Sequence, residues 1–247
     1  MGIQEELDQR RYYAKTAASY DATHVHSDDE HAMALRYAIA LMHLHGVKTV
    51  LDVGTGTGRA LKALSAEGFR VTGLEPAAEL IAAGISSGVD PSSIVQGTGL
   101  ALPFPDQSFD AVCEFGILHH VKRPVGVVTE MLRVTRSAVF LSDTNRFGRA
   151  SRAVRLVKLG LWKAHLWPLA YRFWTRGRGC DISECDGIAY SYSVYDSLDQ
   201  VEDWADRTIL IPTKVEGRRT HSWTHPLLTS SHILLCAVRD NVVSPPV

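Results

Sequence analysis

Three groups of residues have the types and spacing that could do chemistry. The first is the turn Gly54-Thr55-Gly56-Thr57-Gly58, which follows the apolar run Thr49–Val53 and precedes a helical pattern from Arg59. Glycine weakens strands and helices by roughly 0.5–1 kcal/mol each, so this spacing implies a tight turn or a backbone that something must approach closely. A helix N-terminus after such a turn offers N–H groups and a partial positive charge, which suits a carboxylate or another anion. Asp52, just before the turn, either holds a ligand's polar end or satisfies the turn's own N–H groups. The second is Glu75 in "VTGLEP", a carboxylate that can accept two hydrogen bonds from the vicinal hydroxyls of a ribose. The third is "ILHHV" with "LSDTN". His119 and His120 can take a proton near neutral pH or simply pack. Asp143 and Asn145 contact a ligand or cap the following helix.

The elements that must position these residues alternate along the chain. Short, nearly continuous apolar runs at 49–53, 70–74, 94–96, 111–115 and 138–141 read as buried strands. Helical patterns lie between them at 59–67, 77–85 and 124–134. This order predicts an α/β fold, a Rossmann-like doubly wound, mostly parallel sheet with ligands at the carboxyl ends of its strands. A helix at 197–205 followed by strands at 207–215 and 231–238 without a crossover predicts an antiparallel C-terminal edge strand. The whole chain, 1–247, reads as one domain with an N-terminal helical cap over 1–45 and a helical insertion or lid at about 146–195.

Several function classes are disfavoured. The turn is G-x-G-x-G and lacks both the third glycine of a dinucleotide fingerprint, where Arg59 stands, and the G-K-S/T of a phosphate loop. A net charge of −1 offers no global attraction to nucleic acid. The four cysteines match no zinc or redox spacing. Neither do His24, His26 and His31 with their acidic neighbours, so no metal is expected. The start "MGIQEELDQRRYYAK" shows no signal peptide, and no uncharged run reaches the roughly 20 residues of a membrane span. A cytoplasmic protein, free or peripheral at a membrane, is the expectation.

In order, "LDVGTGTG", "GLEP", "LPFPDQSFDAV" and "LHHV…EMLRV" resemble the class I S-adenosylmethionine-dependent methyltransferases, the branch acting largely on small molecules. The resemblance is good from Val50 to about Leu141. It implies S-adenosyl-L-methionine as cofactor, S-adenosyl-L-homocysteine as product and a small-molecule methyl acceptor. Asp52, Gly54, Thr55, Gly56 and Gly58 would hold the methionine end, and Glu75, followed by Pro76, the ribose. The family's usual "GDA" element is Gly97-Thr98-Gly99 here, so the adenine contact would pass to Thr98, Gly99 and Leu100, with Phe115 alongside. Tyr20 matches a "YD" element that closes over the cofactor. His120 and His119 are the candidate catalytic residues, and Asp143 and Asn145 the candidate substrate contacts. A cofactor-binding protein without methylation fits the same motifs.

From Arg146 to Arg178 the chain carries nine Lys and Arg residues and no acid, interleaved with Leu, Trp, Tyr and Phe. Three readings compete for it: a lid whose apolar residues face the cleft, a surface for a phosphate-bearing or lipid-linked substrate or an anionic membrane, and RNA binding.

Overall fold

The computed structural model describes residues 29–183, 187–215 and 224–240. Tyr20 and the first part of the N-terminal cap lie outside the described residues. Helix α1 (Glu30–Leu44) leads into β1 (Thr49–Val53), α2 (Arg59–Ala66), β2 (Arg70–Glu75), α3 (Ala78–Ser86) and β3 (Ile94–Gln96). The chain then crosses to β4 (Phe109–Phe115), α4 (Pro124–Val134) and β5 (Thr135–Thr144). The insertion holds α5 (Arg152–Lys163), α6 (Trp167–Trp174) and a small antiparallel pair, β6 (Asp181–Ser183) with β7 (Gly187–Ala189). Helix α7 (Leu198–Trp204) and strands β8 (Arg207–Val215) and β9 (Ser230–Val238) complete the fold.

The main sheet has the order β3-β2-β1-β4-β5-β9-β8. Strands β1 to β5 are parallel, and β9 is antiparallel to both of its neighbours. The C-terminal strands therefore form the antiparallel edge, with the last strand slotted inside the outermost one. Every β9 residue is buried, which is why its stretch "ILLCAV" reads as a continuous apolar run.

Side-chain alternation sends the strands' residues to two cores. Val50, Ala111, Cys113, Phe140 and Cys236 meet α1 and α2 through Ala34, Leu35, Met42 and Leu64. Leu51, Val53, Val112, Leu141 and Leu235 meet α4 and α7 through Val127, Val128, Met131 and Val201. Asp110 is structural, as its place before a strand suggests: it accepts the N–H groups of Lys48 and Thr49 and pairs with Arg136. The direction of chain growth reverses between β1 and β4, which opens a crevice at their carboxyl ends.

Candidate active site

The glycine turn leaves β1 at that crevice. Gly54 N–H donates to Leu74 O at 2.7 Å, and Thr55 N–H donates to the same oxygen at 3.1 Å, so the turn is laced to the end of β2. Gly54 has φ +73°, and a Cβ there would lie 2.5 Å from Ile117 Cγ2. Gly56 has φ +58° with nothing within 4 Å of a would-be Cβ. Protein packing thus explains Gly54. Gly56 faces open space, the kind of cradle that a bound group would fill.

Glu75 ends β2 beneath this turn. Its Oε2 accepts the Gly56 N–H at 3.0 Å and its Oε1 the Ala77 N–H at 2.9 Å. One carboxylate therefore ties both loops of the crevice together. Asp52 is buried, and its Oδ2 accepts the Thr55 hydroxyl at 2.7 Å. Burial pushes its carboxyl up to about 6, opposed by Thr55 and the charge of Arg59. Of the two roles open to Asp52, the described contacts show support of the turn. Gly97 N–H donates to Glu75 O at 3.1 Å, which hangs the Thr98-Gly99-Leu100 loop beside β2. Pro76 lies next to Glu75, its carbonyl accepting from Gln96, and Phe115 ends β4 on the same edge.

Across the crevice, "LHH" forms a short 3₁₀ turn, Leu118–His120, with Leu118 in the core as its anchor. His119 Nδ1 lies 2.8 Å from Asp143 Oδ1, and the His119 backbone N–H donates to Asp143 Oδ2 at 3.1 Å. Asp143 is fully buried. Burial alone would raise its carboxyl, but the charge and hydrogen bonds of His119, with the Thr144 N–H, hold it down at about 2. His119 and the Thr144 N–H therefore favour its anionic form. A carboxylate on Nδ1 fixes the Nδ1–H tautomer of a neutral His119 and puts the basic lone pair on Nε2. His120 Nδ1 donates to Ile188 O at 2.8 Å, which turns its ring against that of His119 at 4.0 Å between centroids.

Asn145 takes the capping role of its two alternatives. Its Nδ2 donates to Leu227 O and Ser230 O, and its Oδ1 accepts from Phe147 N–H and the Ser193 hydroxyl. With the side chain fully buried and its hydrogen-bonding capacity committed, Asn145 shapes the exit from β5.

Two residues at this edge escaped the sequence reading. His31, weighed there only as a metal ligand, folds over Gly116, where a Cβ would come within 2.8 Å of its ring. Its Nδ1 lies 3.3 Å from Ser142 Oγ. Burial lowers its pKa, against the pull of Asp143. Glu114, the acid near the end of the strand "FDAVCEF", is fully buried. Its Oε2 accepts the N–H groups of Gly116 and Ile117, while Oε1 has no partner among the described residues. Burial, then the nearby Asp143 charge, raise its carboxyl well above the usual range.

The insertion is held partly by its own cations, which point back: Arg146 to Asp196 and Ser191 O, Arg155 to Leu228 O, Lys158 to Arg146 O. Its apolar residues divide. Trp162, Trp167 and Tyr171 line an open cleft of about 980 Å³, together with Lys122, Arg172 and Tyr190. Other large apolar residues of α6 face outward. The cleft adjoins the histidine turn, because Tyr190 N–H donates to His119 O at 2.7 Å.

Residues 51–142 match the family model described as "Methyltransferase domain". An uncharacterized methyltransferase of Mycobacterium marinum is 43% identical over 90 residues, 36% of this chain and 35% of that protein. One from Mycobacterium avium is 42% identical over 90 residues, 36% of each chain. The matched segments thus span about a third of the length of these relatives. Among solved structures, magnesium protoporphyrin IX methyltransferase from Synechocystis with bound S-adenosylhomocysteine superposes with a TM-score of 0.61. That likeness covers 95% of this chain and 100% of that one at 14% identity, and shows the shared fold. A Thermotoga maritima methyltransferase, described as a possible histamine N-methyltransferase, gives 0.56 at 15% identity over 93% and 99% of the two chains. The matched family model, the sheet order and the glycine crevice agree: the stretch from Leu51 to Ser142 is similar to a methyltransferase domain, set in a Rossmann-like fold shared with S-adenosylmethionine-dependent methyltransferases.

Proposed function

We propose that this chain transfers a methyl group from S-adenosylmethionine to a small-molecule acceptor whose oxygen or nitrogen carries a proton. The observation that carries the reading is the His119–Asp143 pair, with Asp143 fully buried, set across the crevice from the glycine turn and beside an open cleft. When bound, S-adenosylmethionine supplies an electrophilic methyl carbon on a sulfonium. Gly54, Thr55, Gly56 and Gly58, with Asp52 behind them, form the cradle for its methionine end. Glu75 receives the ribose hydroxyls, with Pro76 beside it. Thr98, Gly99 and Leu100 meet the adenine through hydroxyl and backbone groups, with Phe115 closing that edge.

The chain's own chemistry is alignment and proton removal. Holding a nucleophile in line can contribute roughly 7–11 kcal/mol of barrier lowering. His119 takes the acceptor's proton on Nε2 as Asp143 stabilises the imidazolium through Nδ1. His120 positions the turn through Ile188. The cleft of Trp162, Trp167 and Tyr171 with Lys122 and Arg172 suits an acceptor with an extended apolar or planar body and an anionic group. The test has two stages. Calorimetry with S-adenosylhomocysteine is expected to give saturable heat. Incubation of S-adenosylmethionine with aromatic and aliphatic hydroxy-acid acceptors is expected to release S-adenosylhomocysteine in an acceptor-dependent way. Absence of heat with either cofactor form overturns the reading.

A further inference from the structure

Helix α6 shows a surface that methyl transfer does not use. Leu166, Leu169 and Phe173 recur at helical spacing along one face and are 50%, 71% and 89% exposed, with Trp174 beside them at 81%. On α5, Val154, Leu156 and Val157 are also exposed. No residue of either helix is buried. Leaving this much large apolar surface in water is costly, and clusters of this kind mark interaction sites.

Charge identifies the occupant. The exposed apolar residues lie within the run Arg146–Arg178, nine cations and no acid, on a chain whose net charge is only −1. The molecule is therefore strongly polarised, basic at the insertion and acidic elsewhere. Arg152, Lys163, Arg172, Arg176 and Arg178 remain exposed around the apolar face. A second copy of the same face would bring like charges together. An anionic bilayer surface supplies both an apolar layer for Leu, Phe and Trp and headgroups for Arg and Lys. No helix of the described residues is long and apolar enough to cross a membrane, so contact is at the surface.

We propose that the α5–α6 hairpin docks this protein on anionic lipid membranes, with Leu166, Leu169, Phe173 and Trp174 inserted at the headgroup level and the surrounding cations on lipid phosphates. The same helix lines the cleft with Trp167, Tyr171 and Arg172. Docking thus sets the lip of the cleft at the bilayer, where an amphiphilic acceptor can pass from lipid to protein without crossing water.

The test is flotation with vesicles of equal phosphatidylglycerol and phosphatidylcholine, against vesicles of phosphatidylcholine alone, without cofactor. The wild type is expected to float with the anionic vesicles only, and to be released as salt rises from 0.05 to about 0.5 M, where the screening length is only a few ångströms. The variant Leu169→Ser/Phe173→Ser/Trp174→Ser, and separately Arg176→Glu, alter exposed side chains, so their melting curves should match the wild type. The triple variant is expected to lose vesicle affinity by about tenfold or more. Wild type that stays unbound, or a folded triple variant that binds equally well, overturns the proposal. So does a concentration-dependent dimer in sedimentation velocity that the triple variant abolishes, because the face would then belong to a second copy. Calorimetry with S-adenosylhomocysteine on the same preparations keeps the two readings apart, since vesicle binding needs no cofactor site.

Discussion

Asp143 grips His119 twice, through the ring at Nδ1 (2.8 Å) and through the backbone N–H (3.1 Å), so the imidazole and the turn that carries it are oriented by one buried carboxylate. Replacing Asp143 with Asn keeps the volume but removes the charge and allows the wrong tautomer. Asp143→Asn is expected to lower kcat by about 10²–10⁴-fold, the range for lost acid–base catalysis. Affinity for S-adenosylhomocysteine should change little. Equal losses in kcat and in cofactor affinity would show that the pair holds the site's shape rather than a proton.

Glu75 joins the Gly56 and Ala77 amides, and the reading gives it the ribose as well. Glu75→Ala is expected to weaken S-adenosylhomocysteine binding by about 2–4 kcal/mol, from the loss of charge-assisted hydrogen bonds at about 1.5–3 kcal/mol each. Titration calorimetry measures it. Normal affinity in a folded Glu75→Ala protein would remove the ribose role.

The two glycines separate packing from ligand space. Gly54→Ala should cost about 2 kcal/mol or more of stability, combining left-handed strain with overpacking against Ile117. Gly56→Ala should cost only the strain, about 1–2 kcal/mol. Its methyl group enters open space, and cofactor affinity should fall by about tenfold or more, equivalent to about 1.4 kcal/mol. Paired thermal melts and calorimetry read both quantities.

Glu114 and Asp143 make opposite contributions to stability against pH. The Glu114 carboxyl is raised in the folded chain, so its contribution is fully present below its unfolded value and is lost as pH climbs through the folded one. Asp143 is depressed to about 2, so its contribution is present above the usual carboxylate value and is lost as pH falls through about 2. Glu114→Gln can still accept the Gly116 and Ile117 amides and carries no charge. It is expected to remove a fall in stability above pH 4.5 of up to about 1.4 kcal/mol per pH unit. Urea melts from pH 5 to 8 test this, and identical slopes in the two proteins would show that Glu114 does not titrate in that range.

Much of the sheet was legible because a parallel strand buried on both faces is nearly continuously apolar, as "AVFL" is. The glycine turn and Glu75 were legible for a related reason: the residues that break those patterns sit at strand ends, where ligands bind. Glu114 left a signal of the same kind, an acid set among the buried residues of "AVCEF". His31 left none. Its neighbours "SDDE" read as solvated, and only the packing of α1 across β4 and β5 brings its ring over Gly116, 85 residues away in the chain. The roles of Arg155 and Lys158 were hidden likewise, since their carbonyl partners are set by how the insertion folds back. Sequence could count the cations of the insertion but not divide them between anchors and surface.

One ion pair reaches beyond the site it borders. Asp29 caps α1 by accepting the Ala32 N–H, and its other oxygen takes Arg59, the first residue of the helix that follows the glycine turn. The start of α1 and the start of α2 are thereby latched together at the crevice, with His31 two residues along on the acceptor side. The glycine turn's following helix and the helix that carries His31 thus share one carboxylate. If this latch couples the two halves of the crevice, the expected consequence is an obligatory order of arrival, cofactor first and acceptor second. Product-inhibition kinetics would display that order directly.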